Sequence, residues 1–121
     1  MQKLLLKILL YFFLLNCSLV GFLGSKAHAS PNQTITLQQA RELIELGRYK
    51  EAREIIMIQL NRKPRDAQWR YLQALLEAEK GLSLEDEKVL NTAVSLFERI
   101  SEEFPELPEP YNNLAVLYDK M

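Results

Sequence analysis

Cysteine and histidine are nearly absent from this 121-residue chain: there is one of each, Cys17 and His28, and both fall within the first 29 residues. The 92 residues that follow hold no thiol nucleophile, no imidazole base, no disulfide and no Cys or His metal ligand. That excludes zinc-finger, cysteine-hydrolase and Ser-His-Asp chemistry from the body, and no catalytic residue, cofactor or metal is expected there. Hairpin signals are missing too: no Asn-Gly or Asp-Gly pair occurs, and no stretch alternates with period two. A basic excess is also lacking. Residues 1–29 take three of the 15 cations and none of the 16 acids, so the body holds 12 cations against 16 acids, a net charge of −4. Nucleic-acid binding wants a basic excess on one face, so no nucleic-acid partner is expected.

The N-terminus has its own pattern. Lys3 and Lys7 precede a 16-residue, mostly apolar run from Ile8 to Leu23, which ends toward Ala27-His28-Ala29. A positive start, an apolar middle and a small-x-small ending make a secretory signal peptide over residues 1–29, with cleavage between Ala29 and Ser30. The alternative is an uncleaved anchor, the one reading that places the protein at a membrane. Cys17 raises lipid modification, but Asn16 stands where a lipoprotein signal carries a small residue. Each reading puts the body outside the cytoplasmic membrane, in the periplasm or cell envelope. A cysteine-free body suits an oxidising compartment.

After a polar linker over residues 30–36, apolar residues recur at helical spacing. Thr36 with Gln39 forms a capping box before Leu37, Ala40, Leu43, Ile44 and Leu46, and Gly47 stops that run. A second helix from about Tyr49 to Arg62 carries Ala52, Ile55, Ile56 and Leu60, and Pro64 ends it. Asp66 caps a third with Trp69, Leu72, Leu75 and Leu76, which Gly81 is expected to close. Ser83 is read as the cap of a long fourth helix with Val89, Leu90, Ala93, Leu96, Phe97 and Ile100, ending near Pro105. A fifth follows Pro108 and Pro110, with Leu114, Ala115, Leu117 and Tyr118 on one side. The reading is all-α, five helices with short turns.

The helices repeat. Ala52 to Pro64 and Ala93 to Pro105 are both twelve residues apart, and each Pro precedes a helix with an aromatic, a Leu and a small residue. The two sets are offset by 41 residues. Residues 37–121 resemble the tetratricopeptide repeat family, whose unit is a helix–turn–helix of 34 residues. Gly47, Tyr49, Ala52 and Pro64 match one repeat; Ala74, Gly81, Ala93 and Pro105 a second; Tyr111, Asn113, Leu114, Ala115 and Tyr118 the opening helix of a third. The middle repeat exceeds the family's length by seven residues, expected to lengthen its second helix from Ser83.

The resemblance implies an α-solenoid of antiparallel helix pairs, about two and a half units, with Gly47, Tyr49, Ala52, Pro64, Ala74, Gly81, Ala93, Pro105, Leu114 and Ala115 as packing positions. It implies a non-enzymatic scaffold that holds a protein partner's helix or extended segment in a groove. In some family members an Asn in the opening helix clamps a terminal carboxylate, but the supporting cations here do not follow that pattern. Asn112, Asn113, Val116, Leu117 and Tyr118 are the candidate partner contacts. Through them the last helix, which lacks a paired successor in the sequence, is also a candidate for self-association. Charge is uneven: residues 30–76 carry +3 and residues 77–121 carry −7.

Overall fold

Three of the five described helices begin where a side chain satisfies amides that have no partner inside the helix. The computed structural model describes residues 36–121; the leader, the cleavage residues Ala27, Ala29 and Ser30 and most of the linker lie outside the described residues. Helix α1 (Leu37–Glu45) starts at a complete capping box, with the Gln39 amide donating to Thr36 Oγ1 at 3.2 Å and the Thr36 amide to Gln39 Oε1 at 2.9 Å. It ends at Gly47, whose φ of +72° is the left-handed conformation that glycine adopts without a Cβ clash. The Gly47 amide then donates to the Ile44 carbonyl and the Arg48 amide to the Leu43 carbonyl, closing the end of the helix.

Helix α2 (Tyr49–Arg62) stops just before Pro64, and α3 (Ala67–Leu84) is capped by Asp66, whose carboxylate accepts from the Gln68 and Trp69 amides. Helix α4 (Glu87–Glu103) is capped by Asp86, and α5 (Pro108–Lys120) begins with proline at its first position. Among the described residues there are no strands; the protein is all-α there.

Two expectations fail at the α3–α4 turn. Gly81 does not close α3, and Ser83 does not cap α4: both lie inside α3, which runs on to Leu84. The reversal falls at Glu85, held at φ +52°, with Asp86 as the cap. The surplus residues therefore lengthen both helices of the pair, to 18 and 17 residues, rather than the second alone. Gly81 has a different role. A Cβ there would lie 2.7 Å from Leu90 Cδ2 and 3.0 Å from the Leu90 backbone nitrogen, so it marks a close approach of α4 to α3.

Two apolar clusters share α3. Ala40, Ile44, Ala52 and Ile56 pack with Trp69, Leu72 and Leu76; on the other side Ala74 and Ala78 pack with Leu90, Ala93, Val94, Phe97, Ile100, Leu114 and Leu117. Ala40, Ala52, Ala74 and Ala93 are completely buried, one in each of α1 to α4, because a methyl group is all the close helix contacts admit. Removing a side chain such as Phe97 or Ile56 from water stabilises the fold by about 1.5–3 kcal/mol each. Besides packing on its successor, α1 also packs against α3.

Candidate functional site

The contact of α1 with α3 leaves a groove. Leu37 and Arg41 line it from α1, Ala67, Gln68, Tyr71 and Leu72 from α3, and Leu107, Glu109 and Pro110 from the start of α5; its volume is about 200 Å³. Thr36 and Asp66, as caps, set where the first turns of α1 and α3 begin, and so bring Leu37 and Ala67 to its edge. Pro110 is fully buried at the start of α5.

Tyr71 forms the floor. Its ring packs on Phe97 with centroids 5.8 Å apart, and the Arg41 guanidinium lies 5.9 Å from its centre. A cation over an aromatic face is attracted by the ring's negative quadrupole, so Arg41 is held at the groove while its remaining donors stay available. The Tyr71 hydroxyl accepts from Asn113 Nδ2 at 3.0 Å. The arrangement suits an apolar side chain lying beside Leu37 and over Tyr71, with a polar or acidic neighbour at Arg41.

The other sequence-derived site residues divide sharply. Ala52, Ala74, Ala93 and Leu114 are buried, Gly81 is at a helix contact, and Tyr49 is half-buried with its hydroxyl donating to the Glu79 carbonyl at 3.4 Å. Gly47, Pro64 and Pro105 are exposed; they shape turns and do not pack. Ala115 is a correction. It faces solvent, because Pro110, Leu114 and Leu117 form the inward stripe of α5, and a residue one step beyond Leu114 turns away from α4.

Among the proposed partner contacts Leu117 is also corrected: it is 2% exposed, in the core beneath α4, and no partner can reach it. Asn113 is half-buried, and its amide donates both to Tyr71 and to the Glu109 carbonyl at 2.9 Å, so it cannot donate to a partner's carboxylate without breaking these bonds. Asn112, Val116 and Tyr118 are exposed. The Tyr118 hydroxyl donates to Glu98 at 2.7 Å, and this bond to a carboxylate holds the phenol above its ordinary value. Leu46, placed in the apolar stripe of α1, is also exposed.

Sequence reasoning missed the charged pairs. Glu77, only 8% exposed, accepts from Arg53 at 2.5 Å, and Glu103 accepts two bonds from Arg70 at 2.5 and 3.0 Å. These partners are 24 and 33 residues apart, and no local signal links them. Among the described residues no helix is long and apolar enough to cross a membrane. Comparison with protein-family models, curated proteins and solved structures returns no match.

Proposed function

We propose that the chain is a non-enzymatic protein-binding scaffold of the bacterial cell envelope, built as a solenoid of tetratricopeptide-like helix pairs. The observation that carries this reading is the groove in which α1, α3 and α5 lie on one side. Equivalence of the pairs supports it. Ala52 and Ala93 are completely buried in α2 and α4, each twelve residues before its proline, and each helix ends two positions before that proline. A partner's extended segment would lay one apolar side chain over Tyr71 and an acidic or polar group at Arg41. Export rests on the leader pattern, with Ser30 as the mature N-terminus.

Selection of a random peptide library on residues 30–121 tests the groove. Recovered peptides should bind at least about tenfold more weakly to Arg41→Glu and unchanged to Lys50→Glu, which alters an exposed charge on α2. Peptides indifferent to Arg41→Glu, or none recovered, would count against it. A second reading, self-association through α5, draws on Tyr111, Val116, Tyr118 and Met121, all exposed on that helix or at its end. Sedimentation across a concentration series separates the two.

A further inference from the structure

Among the described residues, a second hollow, which shares no lining residue with the groove, is walled by three arginines and one carboxylate. It has a volume of about 700 Å³ and is walled by Pro64 and Arg65 from the α2–α3 turn, Arg70 from α3, and Arg99, Glu103 and Phe104 from the end of α4. Arg62 and Lys63 precede it in sequence.

The nearby carboxylates offset only part of its charge. Asp66 is engaged as the cap of α3. Glu103 is held by Arg70, whose side chain is only 15% exposed and whose guanidinium sits 5.9 Å from the Phe104 ring centre. Glu102, three residues from Arg99, makes no ion pair with it. Arg65 and Arg99 therefore face the hollow without a hydrogen-bonded carboxylate, though both are close enough that their charges help hold the Glu103 carboxyl below its ordinary value, after the dominant hydrogen bond from Arg70. The Arg70–Glu103 pair shows the kind of contact the hollow accommodates: a carboxylate on a guanidinium fork, with an aromatic ring alongside.

We propose that this hollow docks an acidic segment of a protein partner, with one carboxylate between Arg65 and Arg99 and an adjacent apolar side chain against Phe104 and Pro64. Arginine suits such a contact because its planar fork matches a carboxylate and is less strongly hydrated than an ammonium. The apolar walls favour a peptide over a bare oxyanion, since a small hydrated ion gains nothing from Phe104 and Pro64. This site is separate from the α1–α3–α5 groove and stands whether or not that groove binds a peptide.

The test uses residues 30–121 and a short fluorescein-labelled peptide of alternating glutamate and phenylalanine, followed by fluorescence anisotropy at low salt. Saturable binding that falls at least about tenfold in Arg65→Glu/Arg99→Glu is expected, with little change in Lys50→Glu/Lys88→Glu, which makes the same charge change elsewhere. Arg41→Glu should also leave it unchanged, which separates this site from the groove. Arg65→Gln/Arg99→Gln, with a melting curve like that of the native chain, guards against an effect of misfolding. Absence of saturable binding overturns the proposal, as does an equal loss in the Lys variant. Displacement of the peptide by an equal concentration of inorganic phosphate also overturns it, by showing a simple oxyanion site.

Discussion

The Asn113 amide donates to the Tyr71 hydroxyl at 3.0 Å, and this one bond joins α5 to α3 across 42 residues of sequence. It sets the floor of the groove by holding a Tyr ring that also packs, tilted by 58°, against Phe97. Tyr71→Phe keeps the ring and removes the acceptor, and should cost about 0.5–1.5 kcal/mol. Asn113→Ala should cost a similar amount. Urea denaturation of the double variant should show the two effects overlapping, because they remove the same bond. Full additivity would show that the bond contributes nothing in solution.

Gly81 should not tolerate alanine. Alanine favours a helix interior over glycine by about 1 kcal/mol, but here its methyl would sit 2.7 Å from Leu90 Cδ2. The clash should dominate and give a net loss of about 1–3 kcal/mol in a thermal melt. Adding Leu90→Ala frees the space, so the double variant should be more stable than the sum of the two single losses implies.

Glu85 should respond in the opposite sense. It adopts φ +52°, where a Cβ costs energy that glycine avoids. Glu85→Gly should stabilise the chain by up to about 1 kcal/mol, raising the melting temperature by a few degrees. A lower melting temperature would mean the Glu85 side chain has a stabilising contact in solution.

Acidification should weaken the Arg70–Glu103 link. The Arg70 hydrogen bond, more than any other contact, lowers the Glu103 carboxyl from its reference value of 4.5. A carboxyl lowered by folding adds stability above its unfolded value, and that contribution is lost as pH falls through the folded one. Stability measured from neutral pH downward should therefore fall less below about pH 4.5 in Arg70→Gln than in the native chain. Identical pH profiles would show the pair to be solvent-separated.

On α5, adjacent positions should behave as opposites. Leu117→Glu places a charge in the core and should unfold or severely destabilise the chain. Val116→Glu, at a position 52% exposed, should change stability by less than about 0.5 kcal/mol. If α5 mediates self-association, Val116→Glu should also lower the sedimentation coefficient.

Most helix starts and stops were legible in the chain because their signal is made by neighbours. Thr36 with Gln39, Gly47, Asp66 and the prolines act within a few residues, and a sequence contains all that such a bond needs. The α3–α4 turn was misread because a glycine that ends a helix and a glycine that admits a neighbouring helix look alike. Only the position of Leu90, nine residues further on, makes Gly81 the second kind. The face of α5 was misread for a related reason: Leu114, Ala115, Leu117 and Tyr118 make an apolar stripe wide enough to be turned either way.

The amino-acid sequence by itself determined that the body is helical, roughly where its helices lie, and that it lacks thiol and imidazole chemistry, because capping, helical periodicity and residue type are local properties. The tertiary structure alone decided which side of α5 is buried, that Asn113 is tied to Tyr71, and that Arg65 and Arg99 share a hollow whose one carboxylate, Glu103, is hydrogen-bonded by Arg70. Those outcomes depend on which distant surfaces meet, and burial and ion pairing are properties of the meeting rather than of either strand of sequence.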